Sequence, residues 1–205
     1  MNPLVGCVDL SSYRKGGHRL SDSDKLFTGS IAAIYDRYPV PLIFERYARD
    51  MAERTASVVP DSILEIASGS GVVTRAVAEV LRSDTRYVAT DLNPPMLEQA
   101  AKTQPDPERA EWQPADALHL PFGDETFDLA LCQFGVMFFP DRIRAYSEAR
   151  RVLRSGGAFV FSIWDRIEEN EFAHVVTQSL ADTFPGTLRT SWPEFLTGTM
   201  TMISS

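Results

Sequence analysis

The sequence predicts an α/β protein: a three-layer, doubly wound fold around a mostly parallel sheet. Three observations carry this. From residue 59 onward, short apolar runs alternate with helical patterns. The first run, Ile63-Leu-Glu-Ile66, leads straight into a glycine turn, Gly69-Ser-Gly71. The second, ending Val88-Ala-Thr-Asp91, closes on a carboxylate. Strands separated by helices pair in parallel, because a parallel neighbour can be reached only by a long crossover. Such crossovers are right-handed, which winds helices onto both faces of the sheet.

Taken in order, residues 1–25 are polar and rich in serine, glycine and charge, which predicts a flexible N-terminal arm. One domain, 26–205, is expected to follow. Its first part, 26–58, has apolar residues at helical spacing, split into two helices by Pro39 and Pro41. A ligand-binding core is expected over 59–165. Its strands are predicted at 63–66, 87–90, 111–113, 127–132 and 158–163, the last entered through Gly156-Gly157. Helices are predicted over 72–82, over 94–102 with proline in its first turn, and over 142–154. A further helix over 168–184 begins a C-terminal segment, 166–205.

With 205 residues, the chain is long enough for one domain with a substantial core. A net charge of −8 disfavours a nucleic-acid partner, because an acidic surface repels phosphate backbones. Arg142, Arg144, Arg150, Arg151 and Arg154 cluster locally and read as a solvated helix face. The longest apolar run, 129–140, is too short for a membrane span. No signal-peptide pattern is visible, and Cys7 and Cys132 lie far apart, so a cytoplasmic protein without a disulfide is expected.

The glycine turn lets a ligand approach the backbone, and the helix after it offers free N–H groups. A dinucleotide fingerprint would place a third glycine at position 74, which is threonine here. Glu65 at the end of the first strand repels phosphate and suits a ligand with a cationic end. Asp91 stands where a carboxylate accepts from both ribose hydroxyls. Its competing role is a helix cap, for which Asn93 is better placed. Asp116, after the third strand, stands beside an adenine site in this architecture or simply forms a turn.

In combination these segments resemble the class I S-adenosylmethionine-dependent methyltransferases, in the type 11 branch that includes the ubiquinone and menaquinone biosynthesis C-methyltransferases. The resemblance spans roughly 27–165. It rests on Ile63 to Gly71, Ala89 to Leu97, Ala115 to Phe122, Thr126 to Leu131 and Arg151 to Phe159. It implies a Rossmann-like methyltransferase fold, S-adenosyl-L-methionine as cofactor and S-adenosyl-L-homocysteine as product. It implies a cofactor site built from Glu65, Ala67, Gly69, Gly71, Asp91, Leu92, Met96, Asp116, Ala117 and Gln133. Gly69 and Gly71 face the methionine portion, Asp91 the ribose, Leu92 and Met96 the adenine. Asp116 and Ala117 flank the base, and Gln133 lies under the methionine end. Phe134 and Met137 line the acceptor side, and Tyr35 either resembles the family's Tyr-Asp pair that closes over the cofactor or is a core aromatic of an amphipathic helix. Ala67 replaces the family's first motif glycine.

The expected activity is methyl transfer by in-line displacement to a small, apolar or aromatic acceptor (EC 2.1.1.-). No residue is a clear general base. His119 is the nearest candidate, with a plain loop residue as its alternative, while His18 and His174 read as a tail and a structural residue. No spacing suggests a metal site. The C-terminal segment is too short for the family's closing antiparallel strand pair. Either the fifth strand is a bare edge, or a strand from 197–203 or a second subunit, as in a homodimer, covers it. That shortening supports an alternative: a methyltransferase-like protein that holds the cofactor with little or no turnover. A nicotinamide oxidoreductase is opposed by Thr74 and Glu65.

Overall fold

The computed structural model describes residues 29–164, residues 175, 178–179 and 182–183, and the backbone of 202–204. The expected arm, Cys7, His18, Phe27 and His174 lie outside the described residues, as does most of the expected helix over 168–184; the described positions there are helical.

Helix α1 spans Gly29–Arg37 and α2 spans Glu45–Val58. The expected break between them falls at Tyr38 and Pro39. Pro41 does not interrupt the chain further, because Val40–Phe44 forms a π-turn that runs into α2. The first-turn position tolerates proline because its missing N–H has no partner there anyway. Strands β1 (Ser62–Ile66) and β2 (Arg86–Asp91) flank α3 (Val72–Val80). Helix α4 (Pro94–Thr103) leads to β3 (Glu111–Pro114). Strand β4 (Phe127–Gln133) and helix α5 (Arg142–Val152) precede β5 (Leu153–Ser162). Strand β5 therefore starts five residues earlier than the sequence predicts (158 − 153 = 5). Its first part pairs Leu153 with Phe127, and the register then jumps so that Ala158 meets Leu129. Residues 154–157 bulge out, a detail invisible to a pattern that looks for continuous apolar residues.

The sheet order is β3-β2-β1-β4-β5-β6. The first five are mutually parallel. Strand β6 (Met202–Ser204) is antiparallel and pairs with Ala158–Val160 of β5. That stretch of the β5 edge is thus covered by the chain's own C-terminal strand, and a second subunit is not needed there.

Side chains alternate across the sheet, and the core divides accordingly. Ile63, Leu129 and Leu131 pack with Ala48 and Met51 of α2 and Val73 and Val77 of α3. Leu64, Ile66, Ala130 and Cys132 pack on the other side with Ala149 and Val152 of α5. The arginine cluster is less solvated than expected. Arg151 pairs with buried Glu148 and with Asp124 and donates to the carbonyls of Leu120 and Phe122, while Arg154 pairs with Asp128. Among the described residues no helix is long and apolar enough to cross a membrane.

Candidate functional site

Strand order reverses between β1 and β4: the chain steps from β1 outward to β2 and β3, then returns to β4 and moves the other way. The loops leaving the carboxyl ends of such strands part to opposite faces and leave a crevice, the usual binding place in this class of sheet.

The glycine turn fills one wall of that crevice. The Ser68 N–H donates to the Thr90 carbonyl (2.9 Å) and the Gly71 N–H to the Ser68 carbonyl (3.0 Å). Asp91 anchors the turn from the neighbouring strand. Its Oδ2 accepts from the Gly69 N–H (2.8 Å) and its Oδ1 from the Asn93 N–H (2.8 Å). Asn93 begins α4 but makes no side-chain cap. Burial pushes the Asp91 carboxyl up from the ordinary carboxylate range, and the N–H groups of Asn93 and Gly69 pull it back. Met96 lies against Gly69, and Leu92 is exposed.

Ala67 takes φ +57°, a left-handed conformation that costs an L-residue roughly 1–2 kcal/mol. Its methyl packs where a Cβ on Gly135 would lie 2.7 Å away. Replacing Ala67 with glycine relieves the strain but enlarges the entropy lost on folding by about 0.5–1 kcal/mol. Ala67→Gly is therefore expected to stabilise the protein by up to about 1 kcal/mol in urea unfolding. A clear loss of stability would show that the methyl's packing outweighs the backbone strain.

Glu65 is fully buried on the α2 and α3 side of the sheet. Its Oε2 accepts from Thr74 Oγ1 (2.6 Å) and Tyr87 OH (2.5 Å). Thr74, the residue that breaks the dinucleotide fingerprint, is thus a partner of the motif's carboxylate. Burial pushes Glu65 up to about 7 from 4.5, against the pull of the two hydroxyls. Between those values the folded protein holds a proton that the unfolded chain has released. Stability therefore falls as pH rises across this window and levels off above it, by at most about 3 kcal/mol from this group. A thermal-melt series from about pH 5 to 8 is expected to show that decline, and Glu65→Gln, which cannot titrate, to remove most of it.

Asp116 follows β3 and forms a turn: its Oδ1 accepts from the Leu118 N–H (2.8 Å). His119 is 70% exposed in its side chain, with Nδ1 3.9 Å from Asp116 Oδ2. Ala117 packs at the edge of the α5-side core. Across the crevice, Gln133 closes β4; its Nε2 donates weakly to the Phe44 carbonyl (3.4 Å). Phe134 follows at φ +53°, an unusual conformation for a bulky residue. Its ring stacks on Trp164 (centroids 4.0 Å, 11° between planes), meets Tyr47 edge-on (5.0 Å) and lies 5.7 Å from Phe44. Tyr35 joins this group through Phe44 (5.5 Å). Burial, and then the Asp91 charge, push its phenol up to about 12. Met137 is buried in the turn after Gly135.

The sequence reading missed Phe44, Tyr47 and Gly135. A Cβ at Gly135 would also lie 2.7 Å from Cys132 Sγ, so a side chain there would force the β4 loop away from the glycine turn. It also missed Arg75 and Ser70, which Asp36 joins to α1. Only the Tyr35-Asp36 pair carried a signal in the sequence.

A family of methyltransferase domains matches residues 64–161, the stretch that runs from β1 to the end of β5. These residues form a methyltransferase domain. A demethylmenaquinone methyltransferase from Lactiplantibacillus plantarum is 35% identical over 101 residues, 48% of this chain and 43% of that protein. A ubiquinone/menaquinone biosynthesis C-methyltransferase from Rickettsia felis is 32% identical over 133 residues, 62% of this chain and 54% of that one. The chain thus spans about half the length of these curated relatives. A crystal structure from Methanococcus maripaludis, provisionally assigned to the S-adenosyl-L-methionine-dependent methyltransferases, shares the fold (TM-score 0.60, 23% identity, 82% of this chain and 77% of that chain).

Three features of the chain fit the cofactor that the resemblance implies, S-adenosyl-L-methionine. The Asp91 carboxylate ends β2 beside the glycine turn, where a ribose-binding carboxylate stands in such sheets. Ser68 Oγ and Gln133 Oε1 are buried without a hydrogen-bond partner among the described residues, and such groups are costly unless a ligand satisfies them. The turn beside them is built from Gly69 and Gly71, so its backbone is open to close approach. Among the described residues no cluster of His, Cys, Asp or Glu is placed to hold a metal ion.

Proposed function

We propose that this chain transfers a methyl group from S-adenosyl-L-methionine to a small apolar or aromatic acceptor. The observation that carries the reading is the Asp91 carboxylate tied to the Gly69 N–H at the strand-order reversal, with Phe134, just after the neighbouring β4, packed among Tyr47 and Trp164. The cofactor supplies a methyl already activated by its sulfonium charge. The protein's task is then alignment and exclusion of water, worth on the order of 7–11 kcal/mol when the geometry is right.

In this reading Asp91 accepts from the ribose hydroxyls. Leu92 and Met96 border the adenine, and Asp116 and Ala117 flank its edge. Gly69 and Gly71 admit the methionine portion over bare backbone. Gln133 presents its partnerless Oε1 to the polar end of that portion. Glu65, held by Thr74 and Tyr87 beneath the turn, carries a charge whose sign favours a cationic ligand only once it ionises, above about pH 7. Phe134 and Met137 form the acceptor wall, with Tyr35 above the cofactor. No base is assigned: His119 is turned toward Asp116 at the far end of the row.

The relatives' names place their reactions in menaquinone and ubiquinone biosynthesis. An electron-poor or phenolic ring suits a wall of stacked aromatic faces, which makes quinone-like aromatics the first acceptors to try. Titration calorimetry with S-adenosyl-L-methionine and S-adenosyl-L-homocysteine tests the cofactor site, and absence of heat at high micromolar ligand would refute it. Transfer of labelled methyl to a panel of quinones, phenols and amines tests turnover. Tight cofactor binding with no labelled product from any member would refute the acceptor assignment.

A further inference from the structure

Helix α1 lies against α4 and crosses to the glycine turn, and one residue in its last turn makes that crossing. Asp36 Oδ1 accepts from Ser70 Oγ (3.0 Å) and from Arg75 Nη2 (2.9 Å). Its Oδ2 accepts weakly from Gln99 Nε2 of α4 (3.4 Å). Arg75 Nη1 donates to the Ser70 carbonyl (2.7 Å) and to Thr103 Oγ1 (2.7 Å). Only 20% of the Arg75 side chain and 13% of the Asp36 side chain are exposed. The pair therefore sits largely out of water, where removing one partner leaves the other charge uncompensated.

Two features set this cluster apart from an ordinary ion pair. Ser70 stands between Gly69 and Gly71, and the pair grips it twice, by hydroxyl and by carbonyl. The turn that Asp91 anchors from below through the Gly69 N–H is thus held from above by α1. The residue beside Asp36 is Tyr35, whose phenol feels the Asp91 charge and whose ring meets Phe44 of the aromatic wall. Helix α1 is therefore tied at one end to the turn and carries a residue of the aromatic group.

We infer that Asp36 and Arg75 are positioning residues for the cofactor: their ion pair sets the shape of the glycine turn through Ser70 and fixes α1 to that turn. The inference rests on the cofactor-site reading above. A ligand held at the turn is then retained in part by the pair. Breaking it speeds cofactor release and weakens binding more than it slows turnover at saturating cofactor.

The test uses the full chain and S-adenosyl-L-homocysteine, with dissociation followed by tryptophan fluorescence in stopped flow and affinity by calorimetry. Asp36→Asn and Arg75→Met are expected to raise Kd by about 10- to 100-fold, mostly through a faster off-rate. In a methyl-transfer assay, KM for S-adenosyl-L-methionine rises more than kcat falls. Arg75→Lys keeps the charge but not the two-pronged grip on Ser70 and Asp36, and is expected to recover part of the affinity. It also serves if the neutral variants fail to fold. Wild-type protein that binds no cofactor overturns the site reading, and this inference with it. Wild-type binding with variants of unchanged Kd and off-rate overturns the inference alone. Variants whose only change is a lower melting temperature likewise assign the pair a purely structural role and overturn it.

Discussion

Asp91→Ala is expected to lower the affinity for S-adenosyl-L-methionine by at least about 100-fold. Two hydrogen bonds from ribose hydroxyls to an ionised carboxylate contribute about 1.5–3 kcal/mol each, and each 1.4 kcal/mol is about tenfold in Kd. The loss has a second component, because Asp91 also holds the Gly69 N–H (2.8 Å) and the Asn93 N–H (2.8 Å). Alanine frees both, so the turn loses its anchor before any ligand arrives. Asp91→Asn separates the two contributions. It keeps one oxygen for the backbone and most of the side chain's shape, but not the charge or the full set of acceptors. Its affinity is expected to lie between wild type and alanine. Calorimetry on the three proteins checks the order, and an Asp91→Ala protein that binds as wild type does would place the ribose elsewhere.

Gly71→Ala is expected to destabilise the fold by about 2–5 kcal/mol. Gly71 has φ +81° at the start of α3, where an L-residue costs about 1–2 kcal/mol. Its Cβ would also lie 2.9 Å from Ala100 Cβ and 3.1 Å from Trp112 Cη2. Overpacking of that kind adds roughly 1–3 kcal/mol, since α4 and β3 must move apart to relieve it. Gly156 provides the control. It has nearly the same φ, +80°, in the β5 bulge, but nothing lies within 4 Å of the Cβ site. Gly156→Ala is expected to cost only the conformational part, about 1–2 kcal/mol. Urea unfolding of both variants isolates the crowding. Equal losses would mean that α4 yields to the added methyl without cost.

The strands that fill the middle of the sheet were legible because every residue in them obeys one rule. Residues 63–66 and 87–90 are buried on both faces and bounded by glycine, proline or charge, and the observed ends differ from the expected ones by at most one residue. The glycine turn and Asp91 were legible for the same reason. Their spacing is a property of one strand, one turn and one helix in succession. Elements whose shape depends on a distant neighbour were not. Residues 154–157 are exposed or glycine, yet Leu153 is drawn back to Phe127, and β5 begins before the bulge. The turn over Val40–Phe44 has two prolines beside or within it, which in sequence read as a simple break.

The site divides along the same line. Glu65 was visible as a carboxylate at the end of a strand, but not as one clasped by Thr74 and Tyr87, 9 and 22 residues away. Phe134 was legible as an acceptor-side residue, but only the folded chain stacks it face to face on Trp164.

What the sequence alone determined is the order of strands and helices, the parallel sheet and the row of small and acidic residues at its carboxyl edge. Those follow from periodicity, backbone freedom at glycine and the short reach of neighbouring peptides. Tertiary structure alone decided which charges meet. Asp36 finds Ser70 across 34 residues and Arg75 across 39. A chain with 20 basic and 28 acidic residues offers many such pairings, and only packing in three dimensions selects one.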